Sequence, residues 1–263
     1  APRLVSMFCI QLIFLAQDNF ASRLETGSVT ALTYGWRIMQ GPQTLIRTSI
    51  ATAILPTLSE FFSSERFDEM KEKIERAAQV MLALTIPIAI VAGVVLTPAV
   101  QAFLGLDPLD TARVVDVSRI FLIGIVGHSL VELFVRSFYA MQKPKYPLIG
   151  AVATLIVFIL FSLILSPLLQ ARGVAAANTL SYSLQAVLLL VLLNPHLVSK
   201  LKLSKSLLRG IVGALVGGAV AFAVLTWTPR ISDSLIGAAA GGVLGLLVAA
   251  VVIRPELIRL REL

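Results

Sequence analysis

Residues 147–169, PLIGAVATLIVFILFSLILSPLL, run for 23 positions without a charged side chain. At about 1.5 Å per residue, this stretch reaches about 34 Å as an α-helix, enough to cross the ~30 Å hydrocarbon core of a bilayer. The run is continuously apolar and does not alternate, which argues against a membrane β-strand. A helix also satisfies its own backbone polar groups, which lipid cannot do. Comparable runs recur near Leu4–Phe20, Val29–Leu58, Ala78–Leu104, Val117–Ala140, Gly173–Leu193, Leu207–Thr228 and Ser234–Ile253. Together they predict an all-α, polytopic membrane helix bundle of about eight transmembrane helices. The second span is the odd one, long and polar in its first half.

Composition agrees. Hydrophobic residues make up 57% of the 263 and charged residues 14%, against the ~25% charged of a soluble domain. The net charge of +7 reads as loop bias, not as a nucleic-acid surface, because the basic residues gather between apolar runs without interleaved aromatics. One set of ends and loops carries 14 Lys and Arg: the N-terminus, Phe61–Gln79, Gln142–Tyr146, Asn194–Arg209 and the C-terminus. The opposite loops carry 5. The positive-inside rule therefore predicts both ends of this chain in the cytoplasm, as an even number of spans requires. The single cysteine, Cys9, excludes a disulfide framework within the chain and reads as a small buried residue. The chain opens Ala1-Pro2-Arg3 without a methionine, which predicts a piece of a longer protein.

Two segments organise the bundle. Residues 63–79, SSERFDEMKEKIERAAQ, place Phe67, Met70, Ile74 and Ala77 at helical spacing among acids and bases. That is an amphipathic helix, expected along the cytoplasmic interface ahead of the third span. Residues 194–209, NPHLVSKLKLSKSLLR, break at Asn-Pro and turn basic. They divide a bundle over 1–197 from two additional helices over 198–263, whose glycines give small-residue faces for close packing.

Ionisable residues inside spans are costly, by ~2.5–3.5 kcal/mol on insertion scales, and so are the candidates for function. Arg37 lies in TYGWRIMQGP (33–42). A guanidinium at depth either grips a phosphate bidentately or snorkels to the interface. Asp18 ends the first span, where it caps a helix end or faces a cavity. Arg47 follows Pro42 among Thr44, Thr48 and Ser49 and faces a polar lumen or another segment. His128, Glu132 and Arg136 recur every four residues on one helix face, a candidate intramembrane ion pair. Either it is structural or it is a proton or cation site. One His and one Glu are too few to hold a metal, so no metal site is expected. No serine-hydrolase, zinc-protease or Walker pattern is present, which points away from an enzyme and calls for no cofactor.

The stretch DNFASRLETGSVTALTYGWRIMQGP (18–42) resembles the "ASxL..GSVSALxYADRLMQLP" pattern of the MviN/MurJ family of lipid II flippases. ATAILPTLS (51–59) is similar to that family's "ATxLLPxLS", RSFYAMQKPKYP (136–147) to "RAFYAxxDxxTP" and GVAAANTLS (173–181) to "GLALATSLS". The resemblance covers about residues 4–200, in family order. It implies a flippase of the multidrug/oligosaccharidyl-lipid/polysaccharide exporter superfamily, with two six-helix lobes plus two extra helices. This chain would be the second lobe and the extra pair, in a bacterial cytoplasmic membrane, with the N-terminal lobe as partner. The implied cargo is undecaprenyl-pyrophosphate-linked peptidoglycan precursor, moved by alternating access, with Arg37 at the position of a cationic-cavity arginine. The sequence departs from the pattern at Gly35-Trp36, where the family has Ala-Asp, at Lys143, where it has Asp, and at Arg47. A polysaccharide or drug exporter, or a non-transporting membrane scaffold, remain as alternatives.

Overall fold

The computed structural model describes residues 2–46, 52–227 and 235–260. Among these the chain is helical throughout its long elements and has no strand. In chain order the helices are α1 (Pro2–Ala21), α2 (Ser28–Ile46), α3 (Thr52–Ser63), α4 (Phe67–Leu104), α5 (Pro108–Ala140), α6 (Lys145–Leu169), α7 (Ala171–Leu193), α8 (Ser204–Trp227), α9 (Leu235–Val252) and α10 (Arg254–Leu260). Seven of them, α1 and α4 to α9, are long and apolar enough to cross a membrane. The expected second span is instead shared between α2 and α3, which carry Pro42 and Pro56. Polar residues keep α2 from reading as a span, and α3, at 12 residues, is too short to be one.

The amphipathic stretch also differs from expectation. It is not a separate surface helix. It forms the start of α4, a single helix of 38 residues. Met70, Ile74 and Ala77 are buried against protein, so the apolar stripe is covered within the bundle. Nothing between Gln79 and Val80 breaks the helix, and Pro87 and Pro98 lie within it. Gly105, at φ +57°, ends it in the left-handed conformation, and its N–H donates to the Gln101 carbonyl. Asp107 then caps α5, accepting from the N–H groups of Leu109 and Asp110 at 2.9 Å each, with Pro108 in the first turn. Those backbone donors hold the Asp107 carboxyl below the usual carboxylate range.

Helix α5 is the centre. It packs on α7, α4 and α2, and buries Phe121, Phe134 and Phe138 completely. Helix α7 lies between α5 and α6, and α1 lies on α6. Helices α8 and α9 pack on each other and on α4. In lipid the hydrophobic effect does not hold helices together, so close packing must. At Gly217, an added Cβ would stand 2.5 Å from the Gly245 carbonyl oxygen, and at Gly245 it would stand 2.6 Å from that of Gly217. The outer faces are apolar: Leu160, Leu163, Ile164 and Leu168 of α6 are all exposed.

One end of the bundle gathers polar ties. Arg209 of α8 donates to the buried Glu256 of α10 at 2.8 Å, and Gln79 of α4 donates to the Lys202 carbonyl at 2.8 Å. Lys143, after α5, lies 3.1 Å from Nδ1 of His196, after α7. The opposite end is held by Arg113, which donates to the Thr26 carbonyl at 3.0 Å and pairs with Asp110 and Glu25. There Arg172 of α7 also pairs with Asp116 of α5 at 2.5 Å.

Two expectations follow. Gly217→Val should force α8 from α9 and destabilise the protein by about 1–3 kcal/mol in unfolding from detergent. Gly242→Ala, whose new Cβ would meet nothing nearer than 3.8 Å, should change little.

Candidate functional site

Helix α2 docks on α5 through Gly35, where an added Cβ would meet Val117 at 2.8 Å and Phe121 at 3.1 Å. That approach fixes the rotation of α2 and sends Trp36 inward. Trp36 meets Phe14 of α1, Phe121 and His128 of α5 edge to face, at centroid distances of 5.3, 5.7 and 5.4 Å. The next residue, Arg37, consequently points outward. Thr30, Thr33, Arg37, Gln40 and Thr44 are all exposed and, spaced three and four apart, form one polar stripe. A face against hydrocarbon looks like that of α6. The stripe of α2 is a face made for water or for protein.

Arg37 lies nine residues from the first residue of α2, about 13 Å along the axis. Measured from a helix start at the edge of a ~30 Å core, that distance would correspond to mid-depth. Among the described residues no carboxylate pairs with it. Beside it a cavity of about 310 Å³ opens between α2 and α4, lined by Tyr34 and Ile38 on one side and Leu96, Val100 and Phe103 on the other.

Asp18 stands exposed in the last turn of α1. Its carboxylate makes no hydrogen bond within the described residues. A helix C-terminus offers free carbonyls, not free N–H groups, so the capping alternative has nothing to bond. Arg47 lies outside the described residues.

The three residues on one face of α5 divide. Arg136 and Glu132 pair within the helix, at 2.8 Å through Nε and 2.6 Å through Nη2. His128 takes no part in that pair. Its Nε2 lies 3.2 Å from Oδ1 of Asn178 on α7, and its ring stacks on Tyr182 at 3.8 Å. Asn178 and Tyr182 were not singled out from sequence. An asparagine within a predicted span was the signal for the first; Tyr182 had none. Glu132, Arg136, Gln185, Thr154, His128 and Tyr182 all border a partly open cleft of about 510 Å³ lined by residues of α1, α2, α3, α5, α6 and α7. No group of three or more His, Cys, Asp or Glu among the described residues can hold a metal ion.

A family model described as lipid II flippase MurJ matches residues 1–236. The chain belongs to that family. It is 27% identical over 259 residues to the probable lipid II flippase MurJ of Rhizobium meliloti (strain 1021), covering 96% of this chain and 48% of that protein. It is 28% identical over 191 residues to the lipid II flippase MurJ of Burkholderia cenocepacia, covering 72% and 37%. The chain therefore spans about half, or less, of the length of the curated relatives it matches. A solved structure of lipid II flippase MurJ in an inward closed conformation superposes with a TM-score of 0.78 at 20% identity, over 95% of this chain and 52% of that one. A MATE structure in the bent conformation gives 0.67 at 14% identity, over 100% and 66%. At these identities the structural likeness speaks for the fold alone.

A double-mutant cycle on His128→Leu and Asn178→Leu should give a coupling of about 0.6 kcal/mol, at most ~1.7, read from unfolding in detergent. Zero coupling would remove the bond between α5 and α7.

Proposed function

We propose that this chain forms the second lobe, with its added helix pair, of a flippase. The whole transporter carries undecaprenyl-pyrophosphate-linked peptidoglycan precursor across the bacterial cytoplasmic membrane. Membership of the family supports the reaction class. The polar stripe of α2, with Arg37 unpaired with any carboxylate among the described residues, carries the site.

The stripe lines the wall that this lobe presents to the missing N-terminal lobe, across a water-filled cavity. There the guanidinium neutralises part of the pyrophosphate through paired N–H···O bonds, which are worth more out of bulk water than in it. The arrangement needs no bond-breaking group. It binds an anion on one side of the membrane and releases it on the other as two lobes rock about the site. One lobe has no second wall, so translocation requires the full-length protein. Asp18, exposed on α1, and Arg47, which lies outside the described residues, are proposed with Arg37 as substrate-binding charges. The Glu132–Arg136 pair stays inside the lobe, where it neutralises itself.

The 14-to-5 distribution of basic residues supports placing both ends of this chain in the cytoplasm. The packing of α8 and α9 on α4 supports reading residues 198–263 as an addition to a bundle built from 1–197.

The test is growth of a bacterium depleted of its own lipid II flippase and supplied with the full-length gene. The unmutated gene should rescue. Arg37→Ala, inserted at equal level, should not, and Arg37→Lys should rescue weakly, since it keeps the charge and loses the bidentate geometry. Full rescue by Arg37→Ala would remove Arg37 from the site.

A further inference from the structure

The cleft bordered by Glu132 and Arg136 has a direction. Arg136 and Tyr139 lie within about one turn of the end of α5, and Pro147 lies in the first turn of α6. His128 stands twelve residues before the end of α5, about 18 Å along the axis. The cleft therefore runs inward from the end of the bundle that holds the chain's N-terminus, and it reaches a buried imidazole. Its volume of about 510 Å³ is far above the ~30 Å³ that one water takes up in the liquid. Gln43, Thr154 and Gln185 give water hydrogen-bonding partners along its wall.

Oδ1 of Asn178 can only accept, so its 3.2 Å contact requires Nε2 of His128 to carry the hydrogen. Nδ1 then holds a lone pair, and no donor among the described residues meets it. An imidazole lone pair on a polar cleft accepts a proton. The resulting cation needs a counter-charge, because an uncompensated one within a span is costly. Glu132, one turn on along the same face of α5, supplies it. It is held here by Arg136 at 2.6 Å, so a proton on His128 sets two cations against one carboxylate. Helices α1, α2, α3 and α6 bring no acid or base to the cleft. The other titratable groups are two phenols, Tyr139 of α5 and Tyr182 of α7, and Tyr182 stacks on the imidazole at 3.8 Å.

The imidazole also touches the helix that carries Arg37. Trp36 meets it at 5.4 Å between centroids, and Arg37 is the next residue. We propose that His128 takes up a proton through this cleft, and that the proton and the anionic substrate at Arg37 strengthen each other's binding. This rests on the flippase reading and adds a control by pH on the cytoplasmic side. A hydronium ion in the cleft gives its proton to Nδ1 and leaves as water. Glu132 then shares its charge between the imidazolium and Arg136, and the wall behind α2 becomes more positive by one charge. In a packed, water-poor lobe that charge reaches an anion across α2 with little screening. Linkage makes the effect mutual: substrate raises the affinity for the proton by the same factor by which the proton raises the affinity for substrate.

The experiment uses the full-length protein in lipid nanodiscs with lipid II as the probe, whose pyrophosphate, esterified at both ends, keeps its charge over the range tested. Affinity should rise about fivefold or more between about pH 8 and about pH 5.5. Calorimetry in buffers of different ionisation enthalpy should show protons taken up as lipid II binds. His128→Gln, whose amide can still donate to Asn178, should flatten the pH dependence and abolish the uptake. Glu132→Gln, which removes the counter-charge, should weaken both. A pH-independent affinity in the unmutated protein, or binding without proton uptake, overturns the proposal whatever the variants do. So does a folded His128→Gln protein that keeps the full pH dependence, because another group then carries the proton. If the unmutated protein binds no lipid II at any pH, the flippase reading itself fails. If it binds lipid II equally at every pH, only the proton site is lost.

Discussion

Hydrocarbon offers no hydrogen-bond partner, and every long element here answers to that. A backbone N–H or C=O left unpaired in lipid costs several kcal/mol, so the chain coils at each crossing and turns only near the ends of the bundle. The same constraint sorts the side chains. Where α6 meets lipid it shows leucine and isoleucine. Where His128 lies within the bundle, an asparagine from the facing helix meets it. The stripe of α2 is uncovered and polar at once, and in a membrane protein that combination calls for water or another protein surface.

The site depends on how α5 receives its neighbours. Gly35 lets α2 approach until Val117 and Phe121 touch its backbone. The close approach fixes which way Trp36 faces, and one residue later that decides where Arg37 points. Trp36 stands where the resembling pattern has an aspartate, and its ring fills a gap among α1, α2 and α5. The substitution exchanges a charge beside the arginine for an aromatic wedge, leaving Arg37 without a neighbouring acid in sequence.

Much of this was legible in the chain. Continuous apolar runs announced seven of the spans because length and the absence of charge are one-dimensional properties. The motif around Arg37 announced the family. The rest depended on three-dimensional packing. The spacing of Met70, Ile74 and Ala77 shows a stripe but not what covers it, and here protein covers it. His128, Glu132 and Arg136 share a face by spacing, yet the partner of His128 lies 50 residues away on α7. The depth of Arg37 followed only once α2 had a starting point. The cavity beside it is made by two helices distant in sequence, so no local pattern contains it.

Helix α4 has a mechanical consequence. Its 38 residues make a rod about 57 Å long, nearly twice the thickness of the hydrocarbon it crosses. One end forms a wall of the cavity beside Arg37, the middle carries α8 and α9, and the other end carries the charged segment that begins at Phe67. A rod of that length pivoting by about 10° at its middle would move each end by about 5 Å, in opposite directions. Widening of the cavity beside Arg37 and displacement of the charged end would then be one motion seen from two places, with the added helix pair at the fulcrum.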